Sequence, residues 1–385
     1  MTATEQLLEQ MLSVSVDESI ENEATFYDRA TRGMRQAVLY GSGNLGKRVF
    51  RFLGDVQELP IAFCDSNPSL WGSFIEGVPV MSPDEAASLY GETATFIICT
   101  WSPGQDRTHP AIFNRLRLLG CRSVVSFIPL FWKYHEKLLP YNRVDLPHLL
   151  LAAKDQVREA HSILNDERSK EEFVRQVGRL LADHLDALDE ESPEEDIYFP
   201  EGLFTLTDHE FFVDCGAFDG DTLRPFLKAV NNLFSGVHAF EPDPENLRSL
   251  RDFIKTLSPD AQSKIVTSGN AVSDTVSTFM LDAQGSVSSC ISDRGTVEIS
   301  SVVLDDVITE PVSYMKMDIE GFEPMALCGA KRIIQTYAPR LAVCMYHRQD
   351  HLWTLPLQIK SYHPDYKLYI RRHGTLFDLV CYAVP

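Results

Sequence analysis

Between Phe211 and Thr222 the chain reads FFVDCGAFDGDT: three apolar residues, an acid, a turn holding Gly216 and Gly220, then TLRPFLKAV at helical spacing. A buried strand, a glycine turn and a helix in that order predict a nucleotide-binding corner. Glycine lets the backbone approach a ligand where a Cβ would collide, and the helix amino end presents unpaired N–H groups. The next apolar run, GVHAF, ends in Glu241, twenty-one residues after Gly220. An acid at the end of the second strand is placed to accept both hydroxyls of a ribose. SKIVTSGNAV, VSYMKMDIE and PRLAVCMYH read as further strands, each with a turn or helical segment behind it. That alternation predicts a parallel, doubly wound sheet. The last two runs, YKLYIRRH and LFDLVCYAVP, lie too close together for a helical crossover and predict an antiparallel hairpin.

The first half repeats the plan more weakly. Leu8, Met11 and Leu12 at helical spacing predict a short amphipathic arm over 1–30, packed on its own domain. Contact with a second copy, giving a homo-oligomer, is the alternative. AVLY then leads into Gly41-Ser-Gly43-Asn-Leu-Gly46 and the helical KRVFRFLGDV; IAFC follows, ending in Asp65, nineteen residues after Gly46. ATFIICT and SVVSFI are two more strands, separated by the helical HPAIFNRLRLLG. These predict a Rossmann-like domain at 31–130, with Gly41, Gly43, Gly46 and Asp65 as a second nucleotide site. The same glycines would also serve simply to seat a helix on its strand. Residues 131–197 read as a helical linker, with Ser169 and Glu172 as a capping box. DALDEESPEED reads as a solvated, acidic boundary before a second domain at 198–385. The fold class expected is α/β, with two Rossmann-like domains.

Composition narrows the partners. A length of 385 residues and 44% hydrophobic content suit two cores. A formal net charge of −20 argues against a nucleic-acid or anionic-membrane surface. The eight cysteines stand singly with no CxxC pair, which suits reduced core thiols. MTATEQLLEQ has neither a basic nor an apolar leader region, and no apolar run is long enough to span a bilayer. A cytoplasmic protein with no membrane insertion is therefore expected.

Taken in order, VDCGAFDGDT, FEPDPENL, GNAVSD, VVLDD and MKMDIEGFE resemble the FkbM family of S-adenosylmethionine-dependent methyltransferases, over roughly residues 195–385. The resemblance implies a class I methyltransferase fold, with a mostly parallel seven-stranded sheet closed by an antiparallel hairpin. It also implies methyl transfer to an oxygen, often on a sugar or natural product. Carried over residue by residue, Asp214, Gly216 and Gly220 would surround the amino acid part of the cofactor, with Asp219 and Thr222 helping from the same turn. Glu241 would hold the ribose diol and Pro242 the adenine edge, with Asn270 and Ala271 lining the adenine. Tyr198 would cover the cofactor or pack between domains. The segments GSGNLGKRVF, FCDSNPSLWG and IEGVPVMSPDE look like nucleotide-binding domains of polysaccharide biosynthesis proteins, implying a nucleotide or nucleotide-sugar there.

Catalysis is expected at the end of MKMDIEG. Strand alternation would put Asp318 and Glu320 on one side, with Met317 and Ile319 on the other. Methyl transfer to a hydroxyl needs in-line positioning and removal of the proton. Asp318 is the first expectation for that role and His347 the second, since an ordinary imidazole pKa suits proton acceptance near neutrality. Glu320 would assist, or else hold the turn at Gly321. Asp318, Glu320 and Asp350 could offer oxygen ligands to a hard cation, but they match no recognised site and no metal is expected. The loop FMLDAQGSVSSCISD reads as a cover over substrate. The resulting expectation is an O-methyltransferase acting on a sugar, polysaccharide or glycoconjugate precursor. Two rivals stand beside it: an NAD(P)-dependent sugar oxidoreductase or epimerase using GSGNLG, and a non-catalytic cofactor-binding scaffold. The string Tyr134-His-Glu-Lys137 matches the oxidoreductase pair, but it follows the last strand of its domain.

Overall fold

The computed structural model describes residues 2–101, 109–185, 192–193, 196–282, 290–291, 295, 297–374 and 378–385. The chain forms two compact units, one of residues 1–154 and 174–189, the other of 155–173 and 190–385. Most of the acidic boundary segment and most of the FMLDAQGSVSSCISD cover loop lie outside the described residues.

In the first unit, helices Ala3–Met11 and Val16–Thr31 start at Thr2 and Ser15, whose hydroxyls accept from Glu5 and Glu18 N–H. Leu8 and Leu12 are buried, as the amphipathic pattern requires. Six strands follow: β1 (Gln36–Tyr40), β2 (Ala62–Cys64), β3 (Phe74–Ile75), β4 (Val78–Met81), β5 (Ala94–Ile98) and β6 (Ser123–Ser126). They pair in the order β3-β4-β2-β1-β5-β6, parallel except for the β3–β4 hairpin. Only the SVVS of SVVSFI is strand. Ser126 accepts from Ile128 N–H and opens the helix Phe127–Lys133, so the apolar Phe127 and Ile128 belong to a buried helix. Tyr134 sits at the break before the next short helix with its ring against Phe52, and Lys137 is exposed.

The second unit contains β7 (Phe211–Cys215), β8 (Gly236–Phe240), β9 (Ile265–Ser268), β10 (Ala271–Val272), β11 (Thr278–Asp282), β12 (Cys290–Ile291), β13 (Val297–Val302), β14 (Tyr314–Met317), β15 (Arg340–Cys344), β16 (Lys367–His373) and β17 (Asp378–Val384). Seven of them form one sheet in the order β16-β17-β15-β14-β7-β8-β9. β17 runs antiparallel to both its neighbours and the other adjacent pairs are parallel, so the mostly parallel sheet with its terminal hairpin is present. Phe212, Phe226, Val237 and Tyr314 fill its core, with Phe212 and Tyr314 stacked 5.1 Å apart. A second sheet, β10-β13-β11-β12, was not legible in the sequence because two of its strands, β10 and β12, are only two residues long. The capping box at Ser169 is replaced by another cap. Asp166 accepts from Ser169 N–H at 2.9 Å, and the Ser169 hydroxyl instead accepts from Ile370 N–H at 3.0 Å.

Successive connections leave β7 in opposite directions, toward β8 and β9 on one side and β14 and β15 on the other. At such a switch point the strand ends part and leave a crevice.

Candidate functional site

A cleft opens at the carboxyl ends of β7, β8 and β14, and Gly216, Phe218, Phe240, Glu241 and Pro242 are among the residues that line it. Asn270, Ala271, Val272 and Leu281 also line it, as do Asp221, Lys316, Asp318, Ile319, Glu320 and Phe322.

The glycine turn is shaped first by the chain itself. Gly216 has φ +83°, and a Cβ there would lie 1.9 Å from the Asp318 carbonyl oxygen. That contact forbids any side chain. Gly220 has φ +92°, and a Cβ there would lie 3.1 Å from Leu250 and Phe253 of the helix Pro244–Ile254; it makes room for that helix and does not line the cleft. Glu241 ties the turn down. Its carboxylate accepts from Phe218 N–H and from Asp243 N–H, each at 2.9 Å, while burial raises its pKa against those hydrogen bonds. Each oxygen keeps a lone pair, so the group can still accept from a diol. Asn270 is fixed by the Ser268 and Ser300 hydroxyls, at 2.8 and 2.6 Å.

Several expected residues sit elsewhere. Asp219 pairs outward with Arg224 at 3.0 Å, and Thr222 is buried below the turn; Asp221, two residues past Asp219, is the turn acid that lines the cleft. Asp214 also lies behind the lining. It is 0% exposed and its carboxylate is 3.2 Å from the Nζ of Lys316, itself only 2% exposed. Lys316 also donates to the Gly216 carbonyl at 2.5 Å and does line the cleft. Burial alone would discharge Lys316, but Asp214, Asp318 and Asp221 outweigh it and raise the lysine pKa. The signal for Lys316 was present: a lysine inside the apolar run YMKM must be buried, and a buried ammonium needs a carboxylate.

The acids after β14 are arranged by a turn, not by strand alternation. β14 ends at Met317; Glu320 and Gly321 take φ of +55° and +100°, and Ile319 faces the cleft together with Asp318 and Glu320. Glu323 holds this turn by accepting from Ile319 N–H at 3.0 Å, the role expected for Glu320. Asp318 accepts from the Tyr198 hydroxyl at 2.6 Å and the Tyr346 hydroxyl at 3.1 Å. Burial would raise Asp318, yet Lys316, His347 and the two tyrosines together hold it below the usual carboxylate range. Tyr198 is thus a buried partner of Asp318, outside the cleft lining, and its ring lies 5.0 Å from the Lys316 ammonium.

His347 is ringed by carboxylates. Its Nδ1 lies 2.8 Å from Glu323 Oε1, and its Nε2 lies 3.3 Å from Asp318 Oδ1 and 3.8 Å from Glu320 Oε2. Burial would lower its pKa, but Glu323, Asp318 and Glu320 raise it to about 9. The expectation of a neutral proton acceptor at pH 7 rested on an ordinary imidazole; in these surroundings the metal-free ring is a cation. Burial pushes Glu320 up to about 7, although 41% of its side-chain surface stays open. Among the described residues, Asp318, Glu323 and His347 offer ligand atoms within 4.8 Å of one another. Asp350 is not in that group and pairs with Arg348 at 3.2 Å.

At the first unit's glycine turn, the Asp65 carboxylate accepts from Ser42 N–H at 2.9 Å, the Ser42 hydroxyl at 2.7 Å and Asn67 N–H at 2.9 Å. Gly41 and Gly46 are needed by the chain's own packing, since a Cβ would meet Cys99 O at 2.8 Å and Gly41 O at 2.0 Å. Gly43 faces nothing within 4 Å.

Comparison with known proteins places this geometry. Over 99% of both chains the fold matches the crystal structure of Methyltransferase FkbM from Methylobacillus flagellatus KT, with a TM-score of 0.79 and 22% identity, a likeness of fold. An rRNA methylase from Streptococcus thermophilus overlaps 46% of this chain and 88% of its own (TM-score 0.31, 12% identity). UDP-D-quinovosamine 4-dehydrogenase from Vibrio fischeri overlaps 24% of this chain and 75% of its own (TM-score 0.21, 21% identity). No curated protein matches at the sequence level. No helix among the described residues is long and apolar enough to cross a membrane. The family model for the methyltransferase FkbM domain matches residues 214–377, from the buried acid of β7 to the hairpin, and this stretch of the chain is a methyltransferase FkbM domain.

Proposed function

We propose that the chain is an S-adenosylmethionine-dependent O-methyltransferase whose acceptor is a hydroxyl of a sugar, polysaccharide or glycoconjugate precursor. The observation that carries the reading is the cleft at the switch point, which Glu241 and Asp318 both line. The residues present fit the cofactor. Glu241 has lone pairs left for a ribose diol, and Asn270, Ala271 and Pro242 line the same cleft, where adenine would sit. Asp221 is the acid of that turn segment that lines the cleft, where the amino acid portion would sit, and it suits an ammonium. When bound, the cofactor supplies a methyl group activated on a sulfonium.

The chain's own residues must bring an acceptor oxygen in line and manage its proton. Asp318 is suited to both, because its carboxylate stays ionised, two tyrosine hydroxyls fix its plane, and it faces the cleft. Lys316 and Asp214 sit behind it as a buried pair that holds the strand end in place.

Calorimetry with S-adenosylmethionine tests the reading. Wild type should bind, and Glu241→Ala should weaken binding about 100-fold, the loss expected for one or two charged hydrogen bonds. Unchanged affinity in that variant would remove the cofactor assignment.

A further inference from the structure

The charge around His347 is lopsided. Three carboxylates, those of Asp318, Glu320 and Glu323, surround one imidazole, and Lys316 balances only the inner side of Asp318. The ring is 7% exposed, and its two nitrogens have different surroundings. Nδ1 is committed to Glu323 Oε1 at 2.8 Å, and Glu323 is itself 0% exposed and braced by Ile319 N–H. Nε2 is buried and makes no hydrogen bond. It points between Asp318 Oδ1 and Glu320 Oε2, and both of those residues line the cleft.

We infer that His347 Nε2, Asp318 Oδ1 and Glu320 Oε2 form a binding site for a first-row divalent cation, with Glu323 as the carboxylate that orients the histidine. Ligand bonds of about 2.0–2.2 Å place neighbouring ligand atoms roughly 3.0–3.5 Å apart around one ion. Nε2 already lies 3.3 Å from Asp318 Oδ1 and 3.8 Å from Glu320 Oε2; Glu320, whose side chain is the most open of the three, must swing in to bring its oxygen beside that of Asp318. A buried carboxylate on the far ring nitrogen fixes the tautomer and raises ligand basicity, the usual support for a metal-bound histidine. One imidazole and two carboxylates suit manganese-like cations, and three protein ligands leave positions open for a hydroxyl from the cleft side. The binding claim stands apart from methyl transfer. The ion's role rests on that reading: it would hold the acceptor oxygen and make its proton easier to remove.

The test uses the full chain, freed of metal by a chelator and titrated with Mn²⁺ under electron paramagnetic resonance. Wild type should take up one Mn²⁺ per chain and show a nitrogen hyperfine coupling. His347→Ala should lose the coupling and at least 100-fold in affinity. Glu323→Gln, which removes no ligand atom, should weaken binding about 10- to 100-fold, and Asp350→Asn should leave it unchanged. Thermal unfolding confirms that each variant is folded, and Asp318→Asn replaces any that is not, with the same loss expected. Wild-type uptake no tighter than that of His347→Ala overturns the site, with the protonated ring itself filling the cluster. S-adenosylmethionine binding measured on the same samples separates the claims. Cofactor binding without Mn²⁺ binding removes the ion alone; Mn²⁺ binding without cofactor binding supports the site and removes the methyl-transfer reading.

Discussion

The two glycine corners have the same backbone and different chemistry. Gly41 N–H donates to Cys64 O at the end of β2, and Gly216 N–H donates to Phe240 O at the end of β8. Asp65 and Glu241 come next after those carbonyls, and each accepts a backbone N–H from its glycine turn. Two residues before each glycine, Leu39 pairs in register with Ile97, and Asp214 pairs with Lys316. The residue after the neighbouring strand is Cys99 in one corner and Asp318 in the other, and the Cβ of either glycine would strike its carbonyl. Burial drives the Cys99 thiol pKa far up, which leaves it inert. A glycine turn with a second-strand acid therefore specifies the corner's shape. The ionisable residues on the adjoining strand distinguish the two, and only the second corner has them.

The largest effect should come from giving the second corner the first corner's residues. Lys316→Ile leaves Asp214 buried without a cation and should cost about 3–5 kcal/mol in urea unfolding. Adding Asp214→Leu removes the stranded charge, and the double variant should return to within about 1 kcal/mol of wild type or exceed it. A single variant no worse than the double would mean that Asp214 and Lys316 are not a coupled pair, and the contrast between corners would lose its basis.

This contrast marks where the sequence was readable. Long apolar runs next to glycine turns revealed the parallel strands and both corners, because burial on two faces leaves no other pattern. Strand and turn spacing could not say which acid of DGDT faces inward, since a turn does not alternate; Asp221 took the place expected of Asp219. Lys316 and Glu323 were missed for a related reason. Each has meaning only through a partner distant in sequence or across a turn, Asp214 for one, Ile319 N–H and His347 for the other. Ser126 turned the end of an apolar run into a helix, a cap that hydrophobicity alone does not show.

A second, smaller contrast lies at the opposite ends of the same strands. β1 opens on exposed Gln36, whereas β7 is preceded by Glu210, which is 0% exposed. Glu210 accepts from Arg340 at 2.5 Å, from Thr207 N–H at 2.8 Å and from the Ser313 hydroxyl. Burial would raise its pKa, but Ser313, Thr207 and Arg340 outweigh it and hold it below the ordinary value of 4.5. The folded pKa is the lower one, so the stabilisation is complete above the unfolded value and fades as pH falls through the folded one. Hydrogen exchange at decreasing pH below 4.5 should therefore show β7 losing protection before β1, a loss of about 1.5–3 kcal/mol. Glu210→Gln should remove that pH dependence. Equal acid sensitivity of the two strands would count against it.

The smallest effect concerns Gly43. Gly41 and Gly46 are demanded by backbone contacts, but a Cβ at Gly43 meets nothing within 4 Å, and its φ of −74° is open to any residue. It is also the residue before the helix Asn44–Asp55, where no side chain caps the first N–H groups. If the first corner is only a way of seating that helix, Gly43→Asp adds a capping carboxylate at the positive end of the helix. The gain should be a few tenths of a kcal/mol, read as a rise of about 1–2 °C in melting temperature, with S-adenosylmethionine affinity unchanged. If the corner instead receives the phosphates of a nucleotide, the new carboxylate repels them. NAD affinity measured by calorimetry would then fall in Gly43→Asp while the melting temperature of the ligand-free protein still rises. The pair of measurements separates a helix seat from a phosphate seat with one substitution, because the same carboxylate helps the empty helix end and opposes an anion bound there.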